Sequence, residues 1–151
     1  MDGITNKEKY DNYKQQMGRL KKAMDNHFLL EALFIEYAII EDRCESVLIH
    51  SGKKVRERAS LSQKLADMKK LINHPDSILG KYLSTDLIDE ITQWSMARND
   101  FIHHLMKQSF THEDLQCLTI QGQAIIKTLC SKSTSYKRAL EREQKKQEVG
   151  S

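Results

Sequence analysis

The stretch FLLEALFIEYAII, residues 28–40, decides the fold class. It is apolar nearly all round, only Glu31 and Glu36 interrupt it, and it falls short of a membrane span. It therefore predicts a buried central helix running from His27 to about His50, with Asp25 and Asn26 able to cap its start. Before it, Lys7 to Met24 sets Tyr10, Tyr13, Met17, Leu20 and Met24 three or four residues apart, the spacing of an amphipathic helix lying on a bundle.

After it, SGKKVRERAS (51–60) reads as a basic loop, and a third helix runs from about Ser60 to Asn73 with Leu61, Leu65, Met68 and Ile72 on one face. Pro75 and Gly80 break the pattern. Ser84 or Thr85 caps a fourth helix reaching Lys107, and Thr111 with Asp114 has capping-box spacing for a fifth that enters the charged tail, whose last residues are expected to fray. One proline, six glycines and no Asn-Gly or Asp-Gly turn leave little material for a sheet. The expectation is an all-α, up-and-down bundle of about five helices. A length of 151 residues suits one domain over 1–151, with a core from about 25 to 130 and polar, partly flexible termini.

A net charge of +3, from 24 basic and 21 acidic residues, is compatible with nucleic acid without indicating it. Cys44, Cys117 and Cys130 are odd in number and widely spaced, which predicts buried thiols in a reducing compartment. The chain reads as soluble and cytoplasmic, with no membrane partner.

The fourth helix holds the residues that argue for chemistry, in SMARNDFIHHLM, residues 95–106. At about 100° per residue, Leu87, Ile91, Trp94, Phe101 and Leu105 form one stripe, and Arg98 falls inside it. A guanidinium does not deprotonate to escape burial, so it needs a carboxylate, a carbonyl, a phosphate or water. Glu36 interrupts the stripe Leu29, Leu33, Ile40 and Val47 of the central helix, with Arg43 one heptad further on. Two readings follow. Arg98 and Glu36 form a buried pair that fixes helix register, or Arg98 projects into a polar cleft where Glu36 or Arg43 orients it.

His103 lies five residues from Arg98, about 140° around an ideal helix, so the two do not meet on one straight helix. A break near Asn99 and Asp100, or a second chain, would be needed. Asn99, four residues before His103, is placed to hold its imidazole. Adjacent His103 and His104 lack the spacing of a helical zinc pair, and the chain has no glycine-rich phosphate loop, so neither metal nor cofactor is expected. His27, His50, His74 and His112 sit near predicted helix ends as surface or capping residues.

The segment RNDFIH, Arg98 to His103, resembles the signature of the HEPN superfamily, an arginine separated by four to six residues from a histidine. The order of elements, a long apolar helix with an embedded acid followed by shorter helices and a late motif helix, is similar to that superfamily's bundle. The resemblance implies a metal-independent endoribonuclease that acts on RNA as a homodimer, with Arg98 and His103 catalytic and Asn99, Glu36, Arg43 and His104 in support. It also implies a toxin-antitoxin or phage-defence setting with an antitoxin or regulatory protein as partner. Histidine moves protons near neutrality, and an arginine fork meets charge building on phosphorus. The rival is a non-catalytic interaction or nucleotide-binding module.

Overall fold

The computed structural model describes residues 3–107 and 110–150. The protein is an all-α bundle. Helix α1 spans Asn6–Asp25, α2 Leu29–His50, α3 Leu61–Ile72, α4 Thr85–His103 and α5 His112–Val149, with a short 3-10 turn at Leu79–Lys81; the described residues contain no strand. No helix among them is long and apolar enough to cross a membrane.

Local chemistry sets most of the boundaries. Capping boxes start α1, with Thr5 and Glu8, and α5, with Thr111 and Asp114, while Ser60 and Ser84 cap α3 and α4 through their hydroxyls. Asp25 and Asn26 do not cap α2. Its N-cap is Phe28, which makes no side-chain cap bond, and the preceding residues close α1 instead. His27 takes a left-handed φ of 58°, its N–H donates to the Met24 carbonyl, and the Phe28 N–H donates to the Ala23 carbonyl. This is a Schellman closure with histidine where glycine is usual. The charged end of α5, expected to fray, is helical through Val149, in keeping with its Ala, Leu, Glu, Gln and Lys content.

The contacts fix helix directions. His27 lies against His112, Gly122 against Glu36, and Ser51 bonds Tyr136 at 2.6 Å, so α2 and α5 run side by side in the same direction. Tyr13 meets Arg43 and Cys130, which makes α1 antiparallel to both. Lys64 near the start of α3 pairs with Glu41 at 3.3 Å, while Leu71 near its end lines a cavity with His50 and Ser51. Helix α3 thus follows α2 in direction, and the basic loop 51–60 carries the chain back along the bundle. The expected up-and-down order gains a crossover at this link.

Most of the buried apolar side chains form one connected core. Leu33, Ile40 and Val47 of α2 meet Leu65 and Met68 of α3, Ile91 and Trp94 of α4, and Ile125 and Leu129 of α5. Trp94 is 1 % exposed, and its indole N–H donates to the Leu118 carbonyl at 2.9 Å, so its one polar group is satisfied inside the core. Cys44 is buried and its thiol is pushed up to about 12 by burial. Cys130 is half-buried and accepts from the Tyr13 hydroxyl. Cys117 departs from the expectation of buried thiols. It is exposed, one position before core-facing Leu118 on α5.

Candidate functional site

The stripe on α4 is real up to Phe101: Leu87, Ile91, Trp94 and Phe101 are buried, and Arg98 sits among them half-buried. Its partner is aromatic. The guanidinium carbon lies 4.1 Å from the centroid of Tyr37 and 5.1 Å from that of Phe34, both on α2. Tyr37 in turn stacks on Trp94 at 6.5 Å and 27°, so the shelf under Arg98 is continuous with the core. A cation on ring faces gains about 0.5–2 kcal/mol according to its exposure. One Nη of Arg98 donates to the Asn99 side-chain oxygen at 3.0 Å, whereas the buried Nε has no acceptor among the described residues. Burial pulls the guanidinium's pKa downward and pushes that of Tyr37 upward.

The buried Arg98–Glu36 pair, one of the two readings of the sequence, does not form. Glu36 is fully buried, and neither carboxylate oxygen has a hydrogen-bond partner among the described residues. Glu36 faces α5, where a Cβ added at Gly122 would stand 2.6 Å from its carboxyl carbon. One residue further along α2, Tyr37 points to Arg98, about 100° around the helix from Glu36. Burial pushes the Glu36 carboxyl up to about 9. It is thus a neutral acid at neutral pH and cannot orient a guanidinium by charge.

Arg43 does not help Arg98 either. It lies over the Tyr13 ring at 5.2 Å and donates to Asp42 at 2.7 Å, on the side of α2 that meets α1.

Helix α4 ends at His103 rather than at Lys107. The His104 N–H makes the last α-type bond, to the Asp100 carbonyl at 3.1 Å, and the next donors turn to carbonyls three residues back, Leu105 to Ile102 and Lys107 to His104. The His104 Nδ1 also lies 3.0 Å from the Asp100 carbonyl, which fixes that nitrogen as the donor, and 3.0 Å from the Asp100 carboxylate. The chain then turns so that Phe110 packs on Phe101 with ring centroids 4.4 Å apart. Leu105 consequently leaves the stripe and is 43 % exposed.

No break occurs near Asn99 and Asp100, because α4 is helical from Thr85 through His103. Arg98 and His103 therefore remain on different sides of one helix. Nor does Asn99 hold His103; it serves Arg98, and His103 is exposed.

The sequence reading names Arg98 but misses its platform. Phe34 and Tyr37 stand three residues apart within FLLEALFIEYAII, a spacing that puts both rings on one face of α2, and that signal could have identified the shelf. Among the described residues, no group of three or more His, Cys, Asp or Glu side chains is arranged to hold a metal ion. The other histidines sit at ends or surfaces: His27 closes α1, and the His74 ring accepts from the Asp76 N–H.

The chemistry open to this site is anion contact by a guanidinium preset on two rings, with an exposed imidazole further round the same helix. No protein-family model, curated protein or solved structure matches the chain.

Proposed function

We propose that the protein is a metal-independent endoribonuclease of HEPN type, working as a homodimer with Arg98 and His103 at a composite site. The observation that carries this reading is the Arg98 guanidinium, half-buried on Tyr37 and Phe34 with no carboxylate at ion-pair distance among the described residues, Glu41 acting on it only from further off. A fork of donors with no carboxylate bonded to it suits a phosphate. The resemblance of RNDFIH to the HEPN signature supports the assignment.

The unbroken α4 keeps Arg98 and His103 of one chain apart, so the reading requires a second copy. In the reaction, the RNA 2′-hydroxyl attacks its own phosphate and one His103 removes its proton. The bond from phosphorus to the 5′-oxygen breaks, and His103 of the second copy delivers a proton to that oxygen. Arg98 meets the charge on the phosphoryl oxygens. The products are a 2′,3′-cyclic phosphate and a 5′-hydroxyl. A cytoplasmic toxin-antitoxin or phage-defence role, with a regulatory protein as further partner, accompanies this reading.

The test is RNA incubated with the protein in chelator across a range of protein concentrations. Cyclic-phosphate ends and an activity per chain that rises with the dimer fraction are expected. A metal requirement, or full activity in a monomer, would contradict the proposal.

One observation favours a second reading, a non-catalytic interaction or nucleotide-binding module. Arg98 is already seated on Tyr37 and bonded to Asn99, which accounts for the arginine without chemistry.

A further inference from the structure

We propose that an open cleft lined by α1, α2 and α5 around Arg43 binds a phosphate dianion, carried by inorganic phosphate or a small phosphomonoester. It is separate from the Arg98 site and goes beyond the nuclease reading.

Two adjoining cavities, of about 170 and 60 Å³, share Arg43, Ser46, His50 and Lys137 as walls, and Lys9 and Tyr13 help close the larger one. A phosphate group needs the space of about three waters, at roughly 30 Å³ each, so the larger cavity admits the group and a small substituent. No acidic residue lines either cavity.

The charges are complementary to a dianion. Lys9, Arg43 and Lys137 bring three fixed cations, and neither lysine is ion-paired among the described residues. The one carboxylate bonded to this set is Asp42, which takes a single Nη of Arg43. Two positive charges are left in surplus.

Donor geometry points the same way. The Arg43 guanidinium carbon lies 5.2 Å from the Tyr13 ring centroid, and the Tyr13 hydroxyl donates to Cys130 Sγ at 3.2 Å. The buried Nε of Arg43 has no acceptor among the described residues, a cost that an anionic oxygen would relieve. His50 Nδ1 lies 2.7 Å from the Ser46 carbonyl, which can only accept, so Nδ1 carries a proton; Nε2 can donate to an anion only in the imidazolium form, so His50 serves chiefly as a reporter beside the three cations. Arginine planarity and two lysines favour a tetrahedral oxyanion over a single carboxylate.

The experiment follows the His50 imidazole resonances by NMR in the 151-residue chain at about pH 8, where a phosphomonoester is a dianion. The titrants are inorganic phosphate, phenyl phosphate and dimethyl phosphate. The last is a singly charged diester like the phosphates of RNA and phospholipids, so it separates those sources from a free monoester.

Both dianions are expected to shift His50, and dimethyl phosphate to bind about tenfold more weakly. Lys137→Gln, at an exposed position, should weaken phosphate about tenfold, and Arg43→Lys severalfold through loss of the planar fork. Arg98→Ala should leave phosphate affinity unchanged, and Lys137→Gln should leave any RNA cleavage unchanged. A His50 signal unmoved by phosphate on the order of 10 mM, dimethyl phosphate binding as well as the dianions, or affinity indifferent to both variants would overturn the proposal.

Discussion

Glu36 and Arg98 each interrupt an apolar helical stripe, and the fold resolves the two intrusions in opposite ways. Glu36 can shed its charge by keeping a proton, so it lies fully buried against Gly122 with its carboxyl pushed up to about 9. Arg98 has no such escape, and it stays half-exposed with its cation spread over Tyr37 and Phe34. The difference teaches that the two residues are not halves of one ion pair. One is a titratable strain in the core; the other is a charge presented to solvent on a rigid platform.

The largest effect expected from this contrast is a pH dependence of stability. The unfolded chain releases the Glu36 proton near the ordinary value of 4.5, while the folded protein holds it up to about 9. Between those values the folded state binds more protons, so Glu36's contribution is fully present below about pH 4.5 and declines as pH rises towards about 9. Urea unfolding of wild type and Glu36→Gln across this window should show wild type losing ground by several kcal/mol relative to the variant. Curves that stay parallel would remove Glu36 as a buried titrating acid.

Next in size is the close approach at Gly122. Gly122→Ala places a methyl 2.6 Å from the Glu36 carboxyl carbon in the unrelaxed structure and should cost about 1–3 kcal/mol. Much of that cost should vanish in a Glu36→Ala background, and a double-mutant cycle measures the coupling. Additive losses would show that the carboxyl is not the obstacle.

The smallest of these effects tests the other side of the comparison. Tyr37→Leu should remove about 1 kcal/mol of cation–π energy on top of its packing loss, and that increment should disappear when Arg98 is replaced by Met. A cycle pairing Arg98→Met with Glu36→Gln should give no comparable coupling at neutral pH. Strong coupling there would restore the buried ion pair.

Much of this contrast is legible in the sequence. The periodicity of Leu87, Ile91, Trp94 and Phe101 is enough to place Arg98 at a core-facing position, and Glu36 stands out in the same way on α2. What answers each intrusion is not legible, because a helical wheel gives direction around one helix and says nothing of the rotation of its neighbour. Glu36 faces α5, and Tyr37, one residue on, faces Arg98.

Leu105 fails for a different reason. After His104 the backbone bonds tighten to three-residue turns and Phe110 folds back on Phe101, so the helix that the periodicity extends to Lys107 stops at His103. Cys117 shows the same limit on α5, where its neighbour Leu118 faces the core and Cys117 does not. The start of α2 was displaced by a backbone event, the left-handed His27, that no apolar pattern encodes. Arg43 was visible as an intrusion too, but only the packing of α1 and α5 around it sets it apart from Arg98 and gives it Lys9, His50 and Lys137 as neighbours.

The central claim is that Arg98 is presented to a phosphate, with His103 of a symmetric assembly completing the chemistry. The most direct measurement is the initial rate of RNA cleavage in chelator by wild type, Arg98→Ala and His103→Ala, each shown by circular dichroism and sedimentation to be folded and in the wild-type oligomeric state. Wild type should cleave, and each variant should fall by about 10²-fold or more. No cleavage by the dimeric wild type, or wild-type rates from both variants, would contradict the account.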